Sequence, residues 1–160
     1  MRIARFPFAL LAAVVLSACG SSDSPTAPAA SPKTIEEDTF AASLQVDLAT
    51  MTKLASGVYV RDVKPGDGAT VHANSNIRTF YAGFLSNGRS FDSNIGLAPR
   101  DFDLGGSLIA GWKLGIPGMR AGGIRKLVIP WQLAYGPAGT SGIPPYANLV
   151  FNVEVTRVNP

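Results

Sequence analysis

The sequence predicts an α+β domain, an antiparallel sheet with one short helix on its apolar face, and three observations carry that prediction. Short apolar stretches with period-2 alternation recur between Gly- and Pro-rich turns from Gly57 onward. A single segment, SLIAGWKLGIPGM, has helical spacing instead. Short strands and turns follow each other closely, and the lone short helix needs a sheet to lie against.

Taken in order, GVYVRDV reads as a strand ending at the Pro-Gly and Asp-Gly turn of KPGDG. IRTFYAGFL is a second, aromatic-rich strand, and Asn87-Gly88 behind it is a strong hairpin signal. In the helical segment Leu108, Ile109, Trp112 and Ile116 share one face, with Ser107 as the expected N-cap and Pro117-Gly118 as the stop. With Gly111 and Gly115 inside it, this helix needs a sheet to lie against. GIRKLVIP is the third clear strand. In NLVFNVEVTRV, the last, Leu149, Phe151, Val153 and Val155 point one way and Asn152, Glu154 and Thr156 the other.

Ahead of this domain the chain has other work. MRIARFPFALLAAVVLSAC carries two arginines, an apolar run too short to span a bilayer, and small residues before Cys19. Leu16-Ser17-Ala18-Cys19 resembles a bacterial lipobox, which implies a signal peptide over 1–18 and a lipidated Cys19 that anchors the chain to a membrane. Cys19 is the sole cysteine, so no disulfide within the chain competes for it. GSSDSPTAPAASP behind it has the composition of a disordered tether over 19–33. In a Gram-negative source, Gly20 in place of an aspartate implies, by resemblance to known lipoprotein sorting, the outer membrane facing the periplasm. Residues 34–56 fit either an amphipathic helix or an extended arm, and the alternation in SLQVDL favours the arm.

Counting excludes most chemistry. Of the 14 Lys and Arg two precede Cys19, which leaves 12 against 11 Asp and Glu and a charge of +1, and no basic run exists; nucleic acid is excluded as a partner. One His and one Cys cannot build a Cys/His metal cluster. His72 sits in a polar turn and no G-x-S-x-G is present; the glycines fit neither phosphate-loop spacing. Asp101 and Asp103 read as solvated loop charges. What remains is a stock of large apolar residues near turns and sheet ends: Tyr81, Phe91, Phe102, Trp112, Tyr135, Ile143 and Phe151.

GVYVRDVKPGDGATV, FYAGFLSNGRSFDSN, the lone GW, GIPGMRAGGIRKLVIP, LAYG and IPPYANLVFNVEV come in the order found in the FKBP-type peptidyl-prolyl cis–trans isomerases, which residues 57–158 resemble. The resemblance implies a twisted antiparallel sheet wrapped around one short α-helix over 57–160, no cofactor, and proline-containing polypeptides as substrates, with macrolides as inhibitors. It also implies roles. Trp112 matches the floor of a proline pocket; Tyr81, Phe91 and Phe151 match its walls; Asp92 matches its rim. Leu108 and Ile109 match the pair entering the helix, Tyr135 a hydroxyl that bonds a ligand carbonyl, and Ile143 an isoleucine on the flap 134–148 above. Phe102 falls in a stretch about two residues shorter than usual, and Arg100 stands after Pro99 where many members carry another pocket aromatic. Thr140 replaces a histidine found in some flaps. A desolvated aromatic slot explains why no acid, base or nucleophile is found: rotation about X–Pro requires no proton transfer. A tethered module that binds such segments without accelerating rotation is the alternative.

Overall fold

The period-2 stretches become a seven-stranded, wholly antiparallel sheet in the computed structural model, which describes residues 31–159. Its strands are β1 (Thr52–Lys53), β2 (Tyr59–Lys64), β3 (Asn76–Leu85), β4 (Ser90–Ser93), β5 (Arg100–Asp103), β6 (Ile124–Ile129) and β7 (Leu149–Asn159). The order is β1-β2-β6-β7-β3-β4, with β5 also paired to β3. β3 and β7, the two longest strands, lie side by side through the centre, so that Tyr81 pairs with Val153 and Gly83 with Phe151. The helix α1 (Ala110–Gly115) lies on one face.

That face is the main core. Ile77, Tyr81 and Leu85 from β3, Leu127 and Ile129 from β6, and Leu149, Phe151, Val153 and Val155 from β7 meet Trp112 and Ile116 there. The helix can lie so close because its glycines face the sheet. A Cβ at Gly111 would overlap Ile129 Cγ2 and come within 2.7 Å of its Cδ1; one at Gly115 would lie 2.8 Å from Leu127 Cδ2. Gly111→Ala should therefore destabilise the domain by about 1–3 kcal/mol through overpacking, although alanine is the better helix former by about 1 kcal/mol. Urea unfolding decides which effect wins.

Three sequence expectations are corrected here. SLQVDL is not extended: Ala42–Leu44 and Leu48–Thr50 are single 3₁₀ turns, the first closed by Gln45 at φ 49° and the second capped by Asp47, whose carboxylate accepts the Ala49 N–H. Ser107 is not the N-cap of α1. Ile109 holds that position in extended conformation, so the helix starts too late for the Ser107 hydroxyl to reach its first amides. Asp101 and Asp103 are not idle charges. Asp101, on β5, receives two bonds from the Arg78 guanidinium at 2.9 and 2.8 Å, and Asp103 accepts the Gly105 N–H at 2.8 Å to close a turn.

The sheet's other face carries a second apolar cluster, and the N-terminal arm supplies half of it. Ile35, Leu44 and Met51 are buried against Tyr59, Val128 and Val150. Polar contacts fasten the arm at several points. Lys53 Nζ and the Tyr59 hydroxyl both donate to Glu36 Oε1 at 2.6 Å, and Lys126 Nζ donates to the Leu44 carbonyl. The Asn148 side chain, buried where β7 begins, donates to Asp38 Oδ2 and to the carbonyl of Lys33, a residue assigned to the tether by composition. Residues 1–30, where the sequence reading puts a signal peptide, Cys19 and most of the tether, lie outside the described residues.

The bond from Lys53, and then that from Tyr59, hold the Glu36 carboxyl at about 2. Its contribution to arm docking is thus complete above the ordinary carboxylate value near 4.5 and is lost as pH falls towards 2. In an acid titration followed by amide exchange of the arm, Glu36→Gln should flatten the loss over that window.

A candidate proline-binding pocket

Trp112 enters from the first turn of α1 and lines a cavity of about 180 Å³, more than tenfold the roughly 10–15 Å³ a single water needs. Its indole is only 4% exposed, because three rings meet it edge to face: Phe102 at 5.1 Å, Tyr81 at 5.4 Å and Phe151 at 5.5 Å between centroids. Phe91 continues the wall against Phe151 at 5.5 Å. Such edge-to-face pairs add about 0.5–1.5 kcal/mol each beyond area burial, so the rings hold one another in place before any ligand arrives.

The sheet and a single small residue make this possible. Phe151 on β7 and Phe91 on β4 flank Gly83 of β3, where a Cβ would lie 2.7 Å from each ring. Glycine at 83 is thus a condition of the pocket, one that alternation alone does not reveal. Asn94, buried behind β4, is another. Its Oδ1 accepts the Tyr81 N–H at 2.7 Å while its Nδ2 donates to the carbonyls of Thr79 and Ala98, which fixes β3 to the β4–β5 connection.

The polar side chains of the lining are Tyr81, Asp92, Ser107 and Tyr135. The Tyr81 hydroxyl donates to Asp92 Oδ2 at 2.7 Å and accepts from Arg100 Nη1 at 3.3 Å. Burial, and next the bond to Asp92, push the Tyr81 phenol up, so it remains a donor throughout the physiological range. Burial also raises the Tyr135 phenol. Among the described residues that hydroxyl has no partner, which leaves it available to a carbonyl in the cavity.

Of the ten pocket residues expected from sequence, nine line this cavity: Tyr81, Phe91, Asp92, Phe102, Leu108, Ile109, Trp112, Tyr135 and Phe151. Ser107, expected as a helix cap, lines it too. Ile143 is not among the lining residues; it lies at a short Thr140–Ile143 bridge and is buried in the same cluster as Tyr81, Trp112 and Phe151. From the segment 134–148, read as a flap over the pocket, only Tyr135 contributes to the lining.

With this geometry established, the comparisons are decisive. The model of the FKBP-type peptidyl-prolyl cis-trans isomerase family matches residues 66–156. The chain belongs to that family. It is 41% identical over 105 residues to an FK506-binding protein of Neisseria meningitidis, covering 64% of this chain and 96% of that one. To FK506-binding protein 4 of Rhizopus delemar it is 47% identical over 107 residues, 66% of this chain; it spans about a quarter of that relative's length, 28%. Among solved structures, the FKBP domain aligns with FkpA from Escherichia coli at a TM-score of 0.65 and 38% identity, covering 69% of this chain and 52% of the other. A peptidyl-prolyl cis-trans isomerase from Pseudomonas syringae gives 0.65 and 32% identity, covering 74% and 87%. These FKBP structures share the antiparallel sheet and its one short helix.

Proposed function

We propose that the chain accelerates cis–trans isomerisation of X–Pro bonds in polypeptides of the cell envelope, and that the aromatic cavity over Trp112 is where it does so. The observation that carries this reading is the cavity itself, walled by aromatic and aliphatic side chains, with the Tyr135 hydroxyl in its lining and without a partner among the described residues.

Rotating a peptide bond breaks its resonance, against a barrier of roughly 18–20 kcal/mol. The uncatalysed exchange at X–Pro takes tens to hundreds of seconds. In the twisted transition state the nitrogen keeps its lone pair and the amide loses charge separation. Water stabilises the polar planar ground state better than the twisted state, so a dry aromatic slot shifts the balance towards the transition state without moving a proton. Each 1.36 kcal/mol gained this way is tenfold in rate, and about 7 kcal/mol would give roughly five decades. Trp112, Tyr81, Phe91, Phe102 and Phe151 would hold the prolyl ring. Leu108 and Ile109 would border the chain beside it, and Tyr135 would donate to a substrate carbonyl.

The lipobox-like Leu16–Cys19 supports a lipid anchor, and the Pro- and Ser-rich stretch behind it supports a tether that lets the domain reach its substrates from the membrane. Relatives named for FK506 binding make a macrolide of that type the expected competitive inhibitor.

A protease-free assay of proline-peptide isomerisation on the soluble part of the chain tests the reading. Acceleration blocked by the macrolide supports it; peptide binding with an unchanged exchange rate would instead establish a non-catalytic binding module. Tyr135→Phe should lower kcat/KM about tenfold, the value of one hydrogen bond of about 1.4 kcal/mol made only to substrate. Its unfolding midpoint should stay put, because that hydroxyl bonds nothing among the described residues.

A further inference from the structure

Beside the pocket, against two of its lining residues, lies a cation that the chemistry of rotation does not use. Arg100 lies at the start of β5, exposed, with Cζ 5.6 Å from the centroid of the Phe102 ring. Among the described residues it has one hydrogen bond, from Nη1 to the Tyr81 hydroxyl at 3.3 Å, and no carboxylate reaches within ion-pair distance. The nearby acids are otherwise engaged: Asp92 takes the Tyr81 hydroxyl and Asp101 takes Arg78. The guanidinium is thus held by stacking on a pocket ring, with most of its N–H groups free of protein partners. Arginine in that state is suited to a bidentate bond with a carboxylate.

A prolyl ring seated over Trp112 touches the same Phe102 ring on which Arg100 rests. The neighbouring residue's Cα is 3.80 Å from that of the proline across a trans bond, so a Glu side chain on one flank reaches the guanidinium. On the Asp92 side of Tyr81 the rim has the opposite charge, which would repel it.

We propose that Arg100 is a specificity-determining residue that favours substrates with an acidic side chain immediately flanking the proline. This rests on the isomerase reading above but is tested separately from it. Peptides that differ only in Glu, Gln or Lys beside the proline, in one set before it and in another after it, would be measured for kcat/KM and for equilibrium binding. In low salt one set should favour Glu over Gln about two- to fivefold, the range of an exposed ion pair. The preference should shrink at high ionic strength. Arg100→Leu should bring the ratio to one, Arg100→Lys should retain part of it, and Arg100→Glu should reverse it towards Lys; a merely structural arginine would change no ratio. Equal rates and equal binding for Glu and Gln in both sets, or a Glu preference surviving Arg100→Leu, would overturn the proposal. If no peptide is accelerated, the isomerase reading falls while the binding ratio still decides the role of Arg100.

Discussion

Trp112→Ala should reduce kcat/KM for a proline peptide by about 100- to 1,000-fold, equivalent to about 3–4 kcal/mol of transition-state stabilisation. The indole lines the cavity and is the common partner of Tyr81, Phe102 and Phe151, so its loss should widen the cavity and release three walls together. Stability should fall as well, by about 3–5 kcal/mol, as for other buried tryptophans cut to alanine. Circular dichroism and a denaturant melt are needed to show that the variant assayed is folded. Trp112→Phe separates the two effects. The indole Nε1–H is buried with no partner among the described residues, so removing it forfeits no hydrogen bond within the protein. Phenylalanine keeps an aromatic floor, and we expect stability within about 1 kcal/mol of the parent and activity within about tenfold. If Trp112→Ala stays folded and retains full activity, the chemistry lies elsewhere.

What the sequence revealed, and what it concealed, divides along one physical line. Features set by local periodicity were legible. The inward set Leu149, Phe151, Val153 and Val155 is buried as the alternation requires, and the helical spacing around Trp112 marks the helix that packs there. The composition of the pocket was legible through the family motifs. Features set by contacts between distant segments were not. Val128 and Val150 sit beside inward residues in β6 and β7, yet both are fully buried because the arm covers the outer face. Continuous apolar runs in strands mean burial on both sides, and LVI of β6 and LVF of β7 carried that signal. The arm was hard to read because its apolar residues follow neither period: two 3₁₀ turns break the spacing. Gly83 and Asn94 were missed for a related reason, since their roles depend on what β3 meets across the sheet and not on their sequence neighbours.

Removing residues 1–51 should cost the domain about 4–9 kcal/mol, making this the most damaging change to stability considered. The truncation deletes Ile35, Leu44 and Met51, each worth about 1.5–3 kcal/mol when fully buried, and the total is an upper figure because unfolded chains bury some apolar surface already. Against the 5–15 kcal/mol that holds a typical domain together, such a loss leaves little margin. Tyr59, Val128, Val150 and Phe84 would then form an apolar patch on an otherwise finished sheet. Lys126, whose amine now meets the Leu44 carbonyl and whose burial depresses its pKa, would regain water, which offsets part of the cost. Asn148 would lose its contacts to Lys33, Thr34 and Asp38 at the point where the 134–148 segment joins β7. The family match begins at residue 66 and does not include the arm, so the pocket residues themselves are untouched by the deletion. The expected outcome is a protein that aggregates at concentrations where the longer form stays soluble, with kcat/KM per folded molecule reduced far less than by Trp112→Ala. A truncated domain with an unchanged denaturation midpoint would mean that the arm rests on the sheet without stabilising it.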